Sequence, residues 1–596
     1  MVYFDSRDTR CKSPAGARPS GSVVEFKFYI SDALEVDYVN LKLRGKGVLT
    51  FKLLKSDEAL GDKRAYAGRV TVPAPGLYRY RFELVHPDGS MHFCGTVDGF
   101  SAVVADWLDE WYFTAFMPSF STPVMPGAVM YQIFPDRFFR CQLPPECEGR
   151  VVHQNWNDRP QSFYDTPGYK ANDFFGGSLE GITQKLDYIK GLGVTHIYLN
   201  PIFESAENHR YSTGDYHKVD GFLGSNADFA LLCEAAQARG MRVILDGVFS
   251  HTGADSLYFN KYSHYNSIGA YNSKNSEYYS WYSFKNWPDE YESWWGFKSL
   301  PNTRELEPGF LKFITGPGGV LEYWQRLGAG GWRFDVADEL PDEFIERARE
   351  RIKAVDRGAL FIGEVWENAV KKESMGHRRR YLLGGQFDSV MNYPWQKAII
   401  ALVRDRESEQ FMRAVDEIVN DYPEKAVNAL MNPLSTHDTV RIINALGCEN
   451  IPSRQKQPHS FLSHGQYEQG KALLHQAAAV QYMLPGMPSI FYGDECGLCG
   501  FDDPYCRATM PWDNMDSDIY KLYEGLGKIR TDFCENFISP IKFDPQSYGC
   551  ISFRRGRLKL VLNLSLAEVK VKNPILGYRV TDNKVLLGGF AIEYVE

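Results

Sequence analysis

From Ala128 to Tyr492 the chain alternates short apolar runs with longer segments of helical spacing. The runs are Val129–Phe134, His196–Asn200, Arg242–Asp246, Trp332–Asp335, Leu360–Glu364, Phe387–Met391, Ala429–Asn432 and Ser489–Tyr492. Between them lie helix-like stretches such as Leu179–Leu192, Asn226–Arg239 and Asp342–Val355. This alternation is the signature of a parallel sheet with crossover helices, and eight such strands close most simply into a (β/α)8 TIM barrel, an α/β fold. The connection from Asp246 to Trp332 is too long for a single helix. It predicts a subdomain inserted after the third strand, at about residues 252–308.

The flanks carry a different period. Val23–Ile30, Val39–Leu43, Tyr66–Val72 and Gly76–Glu83 alternate polar and apolar residues between Gly, Pro and Asp turns, as in a β-sandwich. Ile551–Arg554 and Leu558–Asn563 return to that pattern near the end of the chain. The expected organisation is an N-terminal β-sandwich domain (1–120), a barrel (121–532) and a C-terminal β-sandwich domain (533–596). The N-terminal domain needs no chemistry of its own. A binding module and the interface of a homodimer are both open to it, beside plain packing.

Composition narrows the classes. With 596 residues the chain is too long for one core, and 44% hydrophobic and 24% charged residues are those of an ordinary globular protein. A net charge of −9 argues against a nucleic-acid partner, and the basic tract His377–Arg380 reads as a solvated helix end. No segment is long and apolar enough for a membrane, and the first residues, MVYFDSRDTRCKSPAG, contain no signal-like apolar run; the expected location is the cytoplasm. The 11 irregularly spaced cysteines fit reduced thiols. Cys496, Cys499 and Cys506 cluster without an evident fourth ligand for zinc.

In a barrel the C-terminal strand ends line the site. Those ends carry Asp246 followed by His251, Arg333 with Asp335, Glu364, and the pair His437-Asp438. Residues two apart on a strand share a face, so Arg333 points with Asp335 and lowers its pKa. Each residue taken singly fits a structural ion pair or core position; four strand ends agreeing does not. Paired carboxylates without a metal cage or a Ser-His-Asp arrangement point to glycoside chemistry.

Four segments then match a known pattern: LDGVFSH from Leu245, GWRFDVADE from Gly331, GEVWEN from Gly363 and STHDTVR from Ser435, supported by YQIFPDRF from Tyr131, YSTGDY from Tyr211, FDSVMNY from Phe387 and GMPSIFYGDE from Gly486. Through them the chain resembles the alpha-amylase family of glycoside hydrolases. Within it the resemblance is to the neopullulanase, cyclomaltodextrinase and maltogenic amylase group, through VADE, GEVW, DPYCR from Asp503 and the N-terminal β-domain.

The resemblance implies Asp335 as nucleophile, Glu364 as acid/base and Asp438 as the third acid. It implies Arg333 orienting the nucleophile, with Asp246, His251, His437 and Tyr211 around the sugar at the cleavage point, Trp366 on the acceptor side, and Asp503 with Arg507 on the donor side. The implied reaction is retaining hydrolysis of α-1,4 bonds in maltodextrins, cyclodextrins or pullulan, with transfer to another sugar as a competing outcome. An α-glucosidase, a glucanotransferase and a non-catalytic glycan-binding protein remain open on the same scaffold. Tryptophans 281, 287, 294 and 295 in the insertion serve a private core or stack on sugars.

Relatives often bind calcium through an Asn/Asp-rich loop. Here Cys141–Val151 lacks that ladder of oxygen ligands, Ser178 stands where such relatives have an acid, and Ser250 where many have asparagine. No cofactor is therefore expected, with Asn157, Asn172 and Asp173 the remaining calcium candidates.

Overall fold

The computed structural model describes residues 1–105, 108–545 and 549–595. Contacts group them into two compact units. The first is Met1–Ser121 with Asn368–Asp388 and Arg413–Val427; the second is Thr122–Glu367, Ser389–Met412 and Asn428–Glu596.

All eight expected barrel strands form in the second unit. They are β1 (Met130–Ile133), β2 (His196–Leu199), β3 (Arg242–Gly247), β4 (Gly331–Phe334), β5 (Leu360–Gly363), β6 (Ser389–Val390), β7 (Met431–Pro433) and β8 (Met487–Phe491). Their order, β6-β5-β4-β3-β2-β1-β8-β7, is parallel throughout. A parallel bridge between Met391 and Met431 joins the two ends and closes the barrel.

Alternation builds the interior as columns. Met130, Ile244, Ile362, Met431 and Met487 form an apolar core cluster with Tyr198. Two residues further on, the same columns carry Gln132, Asp246 and Glu364. Apolar side chains thus fill the barrel below, and polar ones crown it. On β4 the column starts at Gly331, where a Cβ would meet the Leu360 carbonyl at 2.2 Å. Only glycine allows the approach of β5 that puts Arg333 and Glu364 side by side.

The expected helix Asp342–Val355 forms as read, and Asn226–Ala238 starts at Ser225, whose hydroxyl and the Asp228 carboxylate make a reciprocal capping box. The stretch Leu179–Leu192 is instead two helices, Leu179–Gln184 and Leu186–Gly191, meeting at Lys185. In the insertion Trp281 is buried against Tyr258, Phe310 and Phe313, while Trp295 is 78% exposed. The C-terminal strands form one six-stranded sheet.

In the first unit eleven strands connect into one sheet. It folds over itself, since Phe28 of Val23–Ser31 lies 4.6 Å from Phe82 of Gly76–Val85, although these strands are not neighbours. Phe26, Phe82, Trp111 and Phe113 share that core. The tract His377–Arg380 is not a helix end. His377–Arg378 pairs with Glu373–Ser374 as a two-stranded hairpin, which the charge run masks, and Arg379 is buried. All eleven cysteines are free thiols. Among the described residues no helix is long and apolar enough to cross a membrane.

Candidate active site

The mouth of the barrel is organised by one guanidinium. Arg333, at the inner face of β4, is fully buried. Its Nη1 donates to Asp246 Oδ1 at 2.7 Å and to Asp335 Oδ1 at 2.8 Å. Its Nη2 lies 2.7 Å from Glu364 Oε2, an ion-pair contact off the hydrogen-bonding axis. Three carboxylates from the ends of β3, β4 and β5 therefore converge on a single cation.

Arg333 was expected to lower the pKa of Asp335, and its charge does act in that direction. Burial outweighs it: desolvation, with Glu364 and Asp246 close by, carries Asp335 well above the ordinary carboxylate range. Asp246 is raised too, by burial against the pull of Arg333. One buried positive charge therefore stands among three acids.

Strand β4 stops at Phe334, one residue short of the expected end, and the Asp335 N–H still donates to the Gly247 carbonyl at 3.1 Å. The chain then turns through Val336 at φ 38°, ψ 54°. A β-branched residue in the left-handed region is rare and costs about 1–3 kcal/mol. The turn aims the Val336 N–H at Glu364 Oε2, 2.8 Å away. No sequence signal marks this residue. The other oxygen of Glu364 accepts from Trp366 Nε1 at 3.2 Å, and the half-buried Trp366 ring is stacked on Tyr393, 3.8 Å between centroids and 5° between planes.

The remaining candidates form a second cluster joined to the first through Asp246. Tyr198 and Tyr211 hydroxyls donate to Asp246 Oδ2 at 2.6 and 2.9 Å. The Tyr211 hydroxyl is also 2.5 Å from His437 Nε2, and the two rings are nearly parallel. Gln132 Nε2 donates to His437 Nδ1 at 2.9 Å, which puts the imidazole proton on Nε2, 3.0 Å from Asp438 Oδ2. Arg507 holds the other side of Asp438 at 3.1 Å and pairs with Asp503 at 2.8 Å. Asp438 and Asp503 are exposed while Arg507 is buried.

Burial pushes His437 well below its ordinary pKa, with Arg507 adding to the effect, and burial pushes His251 down to about 4. Both rings are neutral hydrogen-bonding groups at neutral pH. His251 is buried, with Nδ1 3.0 Å from the Ser250 hydroxyl and Nε2 without a partner among the described residues. Trp294 of the insertion lies 5.4 Å from it, ring to ring. Tyr198, Gln132, Val336 and Tyr393 are the participants that sequence reading missed; the first two stand on inward columns and are legible from the alternation once the strands are set.

The calcium candidates do not form a cage. Asp173 is buried, and its carboxylate is occupied: Oδ2 lies 3.1 Å from His153 Nε2 and accepts the Gln161 N–H at 3.1 Å, while Oδ1 accepts from Tyr169 at 2.7 Å and Asn208 at 2.6 Å. Asn172 Nδ2 donates to the Gly149 carbonyl, and the Asn157 N–H donates to Asn155 Oδ1 at 3.1 Å. Ser178 caps the helix that follows it, accepting from the Gly181 N–H at 3.1 Å. The His153 ring thus stands beside Asp173, and it also meets Asp158 at 3.1 Å.

A model of the alpha amylase catalytic domain matches residues 132–536. The amylopullulanase of Thermoanaerobacter thermohydrosulfuricus is 36% identical over 456 residues, covering 68% of this chain and 30% of that protein. Neopullulanase 2 of Thermoactinomyces vulgaris is 29% identical over 458 residues, covering 76% of this chain and 71% of the relative. The solved structure of the type III pullulan hydrolase from Thermococcus kodakarensis matches with a TM-score of 0.67 at 25% identity, over 99% of this chain and 100% of that one. This chain spans between about a quarter and a third of the length of the amylopullulanases it matches.

The His153 contact gives a pH-dependent outcome. Burial opposes protonation of the ring, but the carboxylates of Asp173 and Asp158 outweigh it and raise its pKa. A raised histidine contributes stability that is full below its unfolded value and lost as pH rises through the folded one. His153→Gln should lower stability by about 1.5–3 kcal/mol at pH 6 and by much less at pH 9, read from urea melts at both values.

Proposed function

Because the chain belongs to the alpha-amylase family, we propose that it is a retaining α-glucan hydrolase. Its substrates are maltodextrins, cyclodextrins or pullulan, cleaved mainly at α-1,4 bonds. The observation that carries this reading is Arg333 touching Asp335 and Glu364 at once. A guanidinium in contact with both acids suits the separation of ~5–5.5 Å that a double displacement needs.

The chemistry follows from the cluster's charge. Glu364 serves as the proton donor to the glycosidic oxygen, and Asp335, paired with Arg333, as the nucleophile at the anomeric carbon. Glu364 gives its proton to the leaving oxygen as the bond to the anomeric carbon breaks, and Asp335 forms the covalent glycosyl-enzyme. Glu364, now a carboxylate, takes a proton from water, whose oxygen displaces Asp335 with net retention. Neutral His251 and His437, with Asp438 and Arg507, offer donors and acceptors to sugar hydroxyls, and Tyr211 supplies a ring beside them. A sugar hydroxyl in place of water gives transfer instead of hydrolysis.

Proton NMR of maltotriose cleavage tests the reading. The first-formed product should be the α-anomer, and Asp335→Asn should lower kcat at least ~10³-fold; an initial β-anomer overturns retention. We also propose that catalysis needs no bound calcium, because Asp173 is already engaged by His153, Tyr169 and Asn208. Chelation should leave activity and melting temperature unchanged; a loss restored by calcium overturns this.

Trp366 is assigned to the acceptor side. Its indole lies beside the acid that serves the leaving oxygen, and Tyr393 covers one face, leaving the other for a sugar. Trp366→Ala should weaken acceptor binding by ~1 kcal/mol and shift products from transfer towards hydrolysis. Chromatography at high maltotriose concentration checks this, and an unchanged ratio in a folded variant makes Trp366 a packing residue.

A further inference from the structure

The first unit contains a cavity of about 510 Å³ whose described lining residues all belong to it. That volume lies in the small-molecule range of ~300–1,000 Å³. One wall is the outer face of the folded sheet, where Arg44 pairs with Arg79 and Arg79 with Tyr112 across three adjacent strands. Arg81 lies two residues along from Arg79, on the same face, with its guanidinium 4.5 Å over the Phe93 ring. Lys371, from the segment Asn368–Asp388, sits 4.5 Å over Tyr112, and Arg413 completes the lining.

Five cationic side chains (Arg44, Arg79, Arg81, Lys371, Arg413) and five acidic ones (Asp98, Asp109, Glu110, Glu417, Asp421) line the cavity. Among the described residues both signs are present, so the hydrogen-bonding capacity each group has left decides which ligand fits. Most of the acids are engaged within the protein. Asp98 accepts the N–H groups of Phe100 and Ser101, and Glu417 and Asp421 share Lys371 at 2.7 Å each.

What is left over has two characters. Arg79 and Arg413 are exposed and have no carboxylate partner among the described residues, and Arg81, paired with Glu83 through Nη2, keeps a buried Nε without an acceptor. These are donors in want of an anion. Glu110 Oε1 is buried without a hydrogen bond, Arg44 Nε standing 3.3 Å from it off the bonding axis, and the Asp109 side chain is exposed. These are acceptors open to hydroxyl groups. Tyr112 and Phe93, both half-buried, add aromatic surface.

We propose that this cavity binds a phosphorylated sugar. The phosphate oxygens accept from the guanidinium forks of Arg79 and Arg413, the geometry for which arginine is suited. Ring hydroxyls donate to Glu110 and Asp109, and the apolar face of the sugar meets the aromatic wall. A bare anion leaves the carboxylates unfilled and repelling it, and a neutral glucan leaves the arginines unfilled.

Calorimetry on the full chain tests this, with glucose 6-phosphate, glucose, inorganic phosphate and maltotriose titrated separately. Asp335→Asn protein is used, so that turnover adds no heat. Glucose 6-phosphate should bind at least tenfold more tightly than glucose or inorganic phosphate. In the additional double substitution Arg79→Gln and Arg413→Gln its affinity should fall at least tenfold, with the melting temperature and maltotriose binding unchanged. Three results overturn the proposal: no saturable heat with glucose 6-phosphate, inorganic phosphate binding as tightly, or an affinity indifferent to the double substitution. Maltotriose binding reads the barrel site separately, so failure here leaves the proposed hydrolase standing.

Discussion

The structure of the barrel mouth depends on a cation that cannot be removed. Arg333 keeps its charge under all ordinary conditions, and it is buried with Asp246, Asp335 and Glu364 gathered round it. Without it three carboxylates from adjacent strands would face each other in a poorly solvated space, and breaking a buried ion pair in this way costs about 3–5 kcal/mol. The register that brings them together is set lower in the barrel, by Gly331 against the Leu360 carbonyl and by the apolar columns that fill the interior. Packing below fixes electrostatics above.

Much of this was legible in the chain. The barrel strands announced themselves because a strand buried on both faces needs a continuous apolar run, and their polar ends stood out against it. Asp246, Arg333, Asp335 and Glu364 stood out this way, and each of the three acids lies against Arg333. Elements failed to show where local pattern and final environment part company. Val48–Leu60 is a thirteen-residue strand exposed along most of its length, so it lacks clean alternation. Val336 was invisible because nothing in a valine's identity suggests a left-handed backbone; tertiary structure imposes it. The direction of the Asp335 shift was misjudged for a related reason. Sequence shows the neighbouring arginine, whereas desolvation and the two additional acids appear only when strands are assembled.

His153 and Asp173 illustrate another kind of partial legibility. Both the absence of a hard-ligand ladder and the presence of Asp173 could be read from the residues. That a histidine twenty positions earlier would share the same carboxylate could not, because the pairing joins two loops across a two-residue bridge of parallel backbone, Val151–Val152 with Asp173–Phe174.

The barrel is not equally sewn along its circumference. Most neighbouring strands share three or four register pairs, but β6 is two residues long, and its junction with β7 rests on the single bridge between Met391 and Met431. Side chains reinforce that bridge: the Ser389 hydroxyl donates to the Ala429 carbonyl, and Asn392 Nδ2 to Asn432 Oδ1 at 2.9 Å. The residue that follows it, Asn392, leads directly into Tyr393, the floor beneath Trp366. The thinnest backbone pairing of the barrel therefore lies beside the indole, one strand on from the Glu364 that the same indole hydrogen-bonds. The charge cluster is carried by strands joined through full backbone ladders, while the edge next to it is tied mainly by side chains.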